Sequence, residues 1–121
     1  MVVIDDDPSV RKALRRLLSL AGHEVDLVES ADEYLRRTPP ARPACLLLDM
    51  RMPGMGGLEL QRHLAATPHD LPIVFITGHG DDPARAQALG AGAVAVIDKP
   101  VDAADLMAAV DAALRASLAS E

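Results

Sequence analysis

One cysteine, two aromatic residues and no tryptophan occur in this chain of 121 residues. With Cys45 alone no internal disulfide can form, and its place inside an apolar run marks it as a small core residue. No apolar stretch approaches the roughly 20 residues that cross a bilayer, and no charged-then-apolar leader reads as a secretion signal. Basic residues are outnumbered by acidic ones, 12 to 18, for a net charge of −6. That balance argues against nucleic-acid binding by this segment, because phosphate backbones need clustered Lys and Arg. Arg11, Lys12, Arg15 and Arg16 do cluster, but at spacings expected of one solvated helix face. His23, His63, His69 and His79 fit no zinc-ligand spacing and read as surface or loop residues. No Gly-x-x-x-x-Gly-Lys run is present, which leaves a P-loop nucleotide site unsupported. A cytoplasmic location without a membrane partner is expected.

What the chain does contain is alternation. Short strand-like runs and helical runs follow each other five times, which predicts an α/β fold with a parallel sheet. The strands are expected at Val2–Ile4, Glu24–Val28, Ala44–Leu48, Ile73–Ile76 and Ala93–Ile97. The third and fourth are almost wholly apolar, as central strands covered on both faces should be. Val10, Ala13, Leu14, Leu17, Leu18 and Ala21 form an apolar stripe on a first helix. Asp7 can cap it, Pro8 suits its first turn, and Gly22 can end it in a left-handed conformation. A second helix should run from Ala31 to about Arg37 and stop before Pro39-Pro40. A third is expected from Gly57 to Ala66, and a fourth from Pro83 to Gly90. The last should be capped by Asp102 and carry Leu106, Val110, Ala113 and Leu114 on one side, with Val101 and Leu106 at staple positions. The size suits one domain with a proper core. There is no internal repeat, low-complexity tract or linker. No second domain is expected after Ser120-Glu121, and the short overhang before the first strand suggests a clipped N-terminus.

Polar residues close four of the five predicted strands. Asp5, Asp6 and Asp7 follow the first, Asp49 the third, Thr77 the fourth, and Lys99 the fifth, just beyond Asp98. In open α/β sheets ligands bind at that C-terminal rim. If the first and third strands are neighbours, Asp5, Asp6 and Asp49 crowd one cleft. Two such charges about 4 Å apart repel by roughly 4 kcal/mol at an effective dielectric near 20. A cation or a raised pKa must offset this, and hard oxygen ligands in an incomplete cage suit Mg2+. Lys99 would add a point positive charge and Thr77 a hydroxyl donor. Such a set can neutralise and orient a phosphoryl group moving onto a carboxylate. Asp49 is the best acceptor, being central and followed by the loop Met50-Arg51-Met52-Pro53-Gly54; Asp7 reads better as a cap. Taken singly, an Asp after a strand is commonly a turn or cap residue, Lys99 could be a surface lysine, and Thr77-Gly78 an ordinary turn. The same coincidence at one end of four different strands is what points to a site.

Four stretches then carry a resemblance: Val-Val-Ile-Asp-Asp-Asp at 2–7, Leu-Leu-Leu-Asp-Met-Arg-Met-Pro-Gly-Met-Gly-Gly around Asp49, Ile-Thr-Gly-His-Gly at 76–80 and Asp-Lys-Pro at 98–100. In order and spacing they resemble the receiver domains of response regulators, the CheY-like superfamily, and the resemblance covers essentially the whole chain, 1–121, as one receiver domain. Residues 75–81 look most like the FixJ-type two-component regulators, whose members often carry a C-terminal helix-turn-helix. The resemblance implies a doubly wound, flavodoxin-like (βα)5 sandwich with a five-stranded parallel sheet in order 2-1-3-4-5. It implies phosphorylation of Asp49 by a sensor histidine kinase or phosphotransfer protein. Asp5, Asp6, Asp49 and the backbone carbonyl of Arg51 would hold magnesium, Thr77 and Lys99 would contact the phosphoryl oxygens, and Lys99-Pro100 would be a cis peptide. The domain would speed its own phosphorylation and the later hydrolysis, and not be an enzyme otherwise, with Arg51 and His79 tuning the hydrolysis. Its state would pass to a partner, or to a second copy in a homodimer, through the fourth helix, fifth strand and fifth helix.

The sequence departs from the family pattern where an aromatic residue usually precedes the lysine by three positions. Val96 stands there, and Val101 replaces the Phe usual after Lys99-Pro100. Either Val96 moves with smaller amplitude, or the loop Gly78–Asp82 carries the change. A rival function is an interaction module that keeps the fold and signals without phosphate. A third, a phosphatase with an aspartyl-phosphate intermediate, would need a second Asp where Arg51 stands.

Overall fold

A computed structural model describes residues 1–41, 44–68, 70–78 and 82–119. Five strands, β1 (Val2–Ile4), β2 (Asp26–Val28), β3 (Leu46–Asp49), β4 (Ile73–Thr77) and β5 (Ala95–Asp98), alternate with five helices. These are α1 (Pro8–Leu20), α2 (Ala31–Leu35), α3 (Gly57–Ala65), α4 (Asp82–Gly90) and α5 (Ala103–Ala119). The strands form one parallel sheet in the order β2-β1-β3-β4-β5, as expected.

Strand side chains alternate between two cores. Val2, Ile4, Leu46, Leu48, Ile73 and Phe75 face one, closed by Ala31 and Tyr34 of α2, Leu60 and Leu64 of α3, and Ala88 of α4. Val3, Cys45, Leu47, Val74, Ile76 and Ile97 face the other, against Leu14 and Leu18 of α1 and Leu106, Val110 and Ala113 of α5. All residues of β3 and β4 are buried, because helices cover both faces. Among the described residues no helix is long and apolar enough to cross a membrane.

Capping follows local chemistry. The Asp7 carboxylate accepts from the Ser9 amide (2.8 Å) to start α1. Gly22, at φ 89°, ends it, with His23 N–H donating to the Leu18 carbonyl and Gly22 N–H to that of Ser19. This is the paired Schellman arrangement that needs a left-handed residue. Asp102 accepts from the Asp105 amide (3.1 Å) at the head of α5.

The boundaries differ from expectation where pairing decides them. β2 begins at Asp26, not Glu24, because β1 offers only Val2–Ile4 to pair with. β3 extends to Asp49, paired with Ile76, and β5 lies later, Ala95–Asp98, opposite Val74–Thr77. α2 ends at Leu35, two residues early: Arg36 and Arg37 donate to Glu33 and Tyr34 in tighter i→i+3 turns.

Candidate functional site

The chain winds outward one way from β1 to β2 and the other way from β3 onward, so a crevice opens between the ends of β1 and β3. Ile4 pairs with Leu48, and the next residue on each strand is an aspartate. Asp5 is 1% exposed and Asp49 7%; Asp6 is exposed. One carboxylate oxygen from each of Asp5, Asp6 and Asp49 lies within 4.8 Å of the others.

Lys99 follows β5, and its ammonium stands 3.7 Å from both Asp5 Oδ2 and Asp49 Oδ1. Those separations are ion-pair contacts, too long for hydrogen bonds, and among the described residues the buried Asp5 Oδ2 has no hydrogen-bond partner. Asp5 Oδ1 accepts from the Asp7 amide (2.9 Å) and Asp49 Oδ1 from the Arg51 amide (3.3 Å). These contacts do not offset burial. Burial pushes the Asp49 carboxyl up to about 6, with the Asp5 charge adding to it against Lys99 and the Arg51 amide. The Asp5 carboxyl is also raised, first by burial.

Thr77 ends β4, buried, opposite Asp98, with its hydroxyl donating to the Gly78 carbonyl (3.2 Å). The Lys99 amide donates to the Thr77 carbonyl (2.8 Å), which fixes the ends of β4 and β5 to one another. The Lys99-Pro100 peptide is cis. Arg51 is exposed on the loop after Asp49. Val96 lies mid-β5, half-buried against the core that contains Phe75. His79, with most of the loop between Gly78 and Asp82, lies outside the described residues.

Three supporting residues escape a reading of the sequence. Arg11, assigned above to a solvated face, donates to the Asp5 carbonyl (2.6 Å); Lys12, Arg15 and Arg16 are exposed as expected. Gly57 opens α3 so close beneath the site that a Cβ would lie 2.6 Å from the Asp49 carbonyl oxygen and 2.9 Å from the Phe75 ring. Gln61, buried, donates to the Ala88 carbonyl (3.0 Å) and ties α3 to α4. Only the double glycine at 56–57 hinted at any of these.

Mg2+ fits the three-carboxylate rim. It prefers a few carboxylates supplemented by waters and phosphate oxygens, and the rim holds a buried carboxylate oxygen without a hydrogen-bond partner among the described residues.

Comparison with known proteins agrees with this geometry. The family model described as response regulator receiver domain matches residues 1–111. Nodulation protein W of Bradyrhizobium diazoefficiens is 44% identical over 111 residues, covering 92% of this chain and 49% of that protein. The transcriptional regulatory protein FixJ of Rhizobium meliloti is 38% identical over 119 residues, covering 98% and 58%. The chain thus spans about half the length of these relatives. Among solved structures, response regulator StyR superposes with a TM-score of 0.90 at 45% identity, covering 98% of this chain and 60% of that one. The crystal structure of FixJ-N does so with 0.87 at 38%, covering 94% and 91%. From sequence to superposition the same grouping recurs: this chain belongs to the response regulator receiver domains, of FixJ type, and is a receiver of two-component signalling.

Proposed function

We propose that the whole chain, 1–121, is one receiver unit whose phosphoacceptor is Asp49. The observation that carries this reading is the Lys99 ammonium poised 3.7 Å from both the Asp49 and Asp5 carboxylates on an acidic rim. A partner histidine kinase or phosphotransfer protein presents a phosphohistidine. An Asp49 carboxylate oxygen attacks phosphorus, the O–P bond forms as the P–N bond breaks, and the departing imidazole keeps the electron pair and takes a proton. The product is an acyl phosphate, which water later cleaves back to the carboxylate and inorganic phosphate.

Asp5, Asp6, Asp49 and the Arg51 carbonyl would hold Mg2+, which when bound supplies positive charge next to the transferring oxygens. Lys99 neutralises a phosphoryl oxygen from the opposite side, and the Thr77 hydroxyl turns from Gly78 to donate to another. The Arg51 and His79 side chains set access of water to the acyl phosphate and so the lifetime of the signal. That hydrolysis is the domain's own chemistry; otherwise it acts by signalling. The state passes outward through the α4-β5-α5 face, to a partner or to a second copy in a homodimer, in the cytoplasm.

Acetyl phosphate and magnesium test the reading. Intact-mass spectrometry should show one added phosphoryl group, lost with EDTA and in Asp49→Asn. A mass gain that persists in Asp49→Asn assigns the acceptor elsewhere, and no gain under any condition favours an interaction module that works without phosphate.

A further inference from the structure

Helix α4 has little apolar surface with which to hold its place. Only Ala88 of its nine residues is buried, Ala84 packs partly against the core, and its one large apolar side chain, Leu89, is exposed. A face that small positions a helix weakly. Polar ties supplement it. Gln61 reaches the Ala88 carbonyl from α3. Arg85 grips the edge strand: Nη1 donates to the Val96 carbonyl (2.9 Å) and Nη2 pairs with the Asp98 carboxylate. A guanidinium with two fixed acceptors makes a more directional clamp than an ammonium would.

The clamp leads into the site. Asp98 immediately precedes Lys99, whose amide is bonded to Thr77 and whose ammonium is shared between Asp5 and Asp49. We propose that Arg85 is a latch, holding α4 on β5 while Asp49 is unmodified and releasing it when a phosphoryl group arrives. This rests on Asp49 being the phosphoacceptor. A phosphoryl group offers Lys99 acceptors closer than its present 3.7 Å contacts and draws the end of β5 toward the crevice. Both Arg85 bonds terminate on β5, and a shift of about 1 Å at Asp98 exceeds what a hydrogen bond tolerates. Coupling is reciprocal: what the latch contributes to the present state opposes the phosphorylated one, so its removal favours the latter.

Beryllium trifluoride with magnesium, titrated calorimetrically into the full chain, serves as the phosphoryl probe, and hydrogen exchange of residues 82–90 follows α4. Arg85→Ala should bind the probe about fivefold more tightly than wild type. Arg85→Lys and Asp98→Asn, which each keep part of the clamp, should fall between. In wild type α4 should exchange faster once the probe is bound; in Arg85→Ala it should do so without it. Unchanged probe affinity in Arg85→Ala, with only a lower melting temperature, reduces Arg85 to a surface tie and overturns the latch; so does weaker binding. If Arg85→Ala fails to fold, the same two readouts on Asp98→Asn decide. A wild-type chain that binds no probe, like Asp49→Asn, sinks the phosphoacceptor reading and the latch with it.

Discussion

Replacing Asp49 by Asn should make the protein more stable, and by an amount that depends on pH. Its carboxyl rises from the ordinary 3.8 to about 6 in the fold, through burial first and then the Asp5 charge. At about 1.4 kcal/mol per tenfold change in the equilibrium constant, holding that group ionised costs the native state about 3 kcal/mol at neutral pH. The sign follows from proton counting. Between pH 3.8 and 6 the native state binds more protons than the unfolded chain, so wild-type stability falls as pH rises through that window and levels off above it. Asparagine carries no charge and keeps an oxygen to accept from the Arg51 amide. The stability gap between variant and wild type should therefore widen by about 2 kcal/mol from pH 4.5 to pH 7.

Urea denaturation followed by circular dichroism, at low salt with EDTA, measures this directly, with the slope on urea checked for constancy. Magnesium should close much of the gap: at ten times its dissociation constant it adds about 1.4 kcal/mol to wild type and less to the variant. A gap that does not change between pH 4.5 and 7 would refute the claim that burial and the Asp5 charge destabilise ionised Asp49. An Asn variant less stable than wild type at pH 7 would do so more severely.

Other perturbations separate the site from its supports. Lys99→Met should abolish phosphorylation by acetyl phosphate and lower stability at pH 7 by about 1 kcal/mol, the partly exposed ammonium being screened although both carboxylates are buried; in the Asp49→Asn background the stability loss should shrink, as a double-mutant cycle would show. Gly57→Ala should destabilise by about 2 kcal/mol in urea titrations, because the new Cβ overlaps the Asp49 carbonyl and the Phe75 ring; a loss under about 0.5 kcal/mol would mean α3 can shift freely. Ser117→Ala should cost about 1–3 kcal/mol at neutral pH, since the buried Ala44 amide donates to its hydroxyl (3.0 Å).

Local chemistry made most of the fold readable. Asp7, Pro8 and Gly22 mark the two ends of α1 from sequence alone, because capping and left-handed turns depend on residues a few positions apart. The alternation of apolar and helical runs predicted a parallel sheet, the family resemblance implied its strand order, and the polar residues closing four of the five runs put Asp5, Asp49, Thr77 and Lys99 on one rim. What could not be read depends on contacts distant in sequence. Gln61 looks like any polar helix residue until α4 brings the Ala88 carbonyl to it. Ser117 looks like a surface serine on an Ala-rich helix, yet it is fully buried and bonded to the Ala44 amide just before β3. Arg11 shares its spacing with three exposed basic residues, and only the Asp5 carbonyl distinguishes it. Tyr34 gave no signal at all: its hydroxyl has no partner among the described residues, and burial raises its pKa.

The rim is a place where the sequence keeps charges that the fold disfavours. Asp5 and Asp49 are both buried and both raised, while among the described residues the Asp7 and Arg51 amides and a Lys99 ammonium at 3.7 Å leave Asp5 Oδ2 without a hydrogen bond. A tighter Lys99 bridge would remove that repulsion and stabilise the resting fold. It would also commit the ammonium to the carboxylates and leave less of it for an incoming phosphoryl group. Lys99 is held loosely between two acids, on the strand end that Arg85 and Thr77 both grip. A charge arriving at Asp49 can therefore move the strand as well as bind to it. On this reading the poor pairing of the resting site supplies part of the energy for the signal.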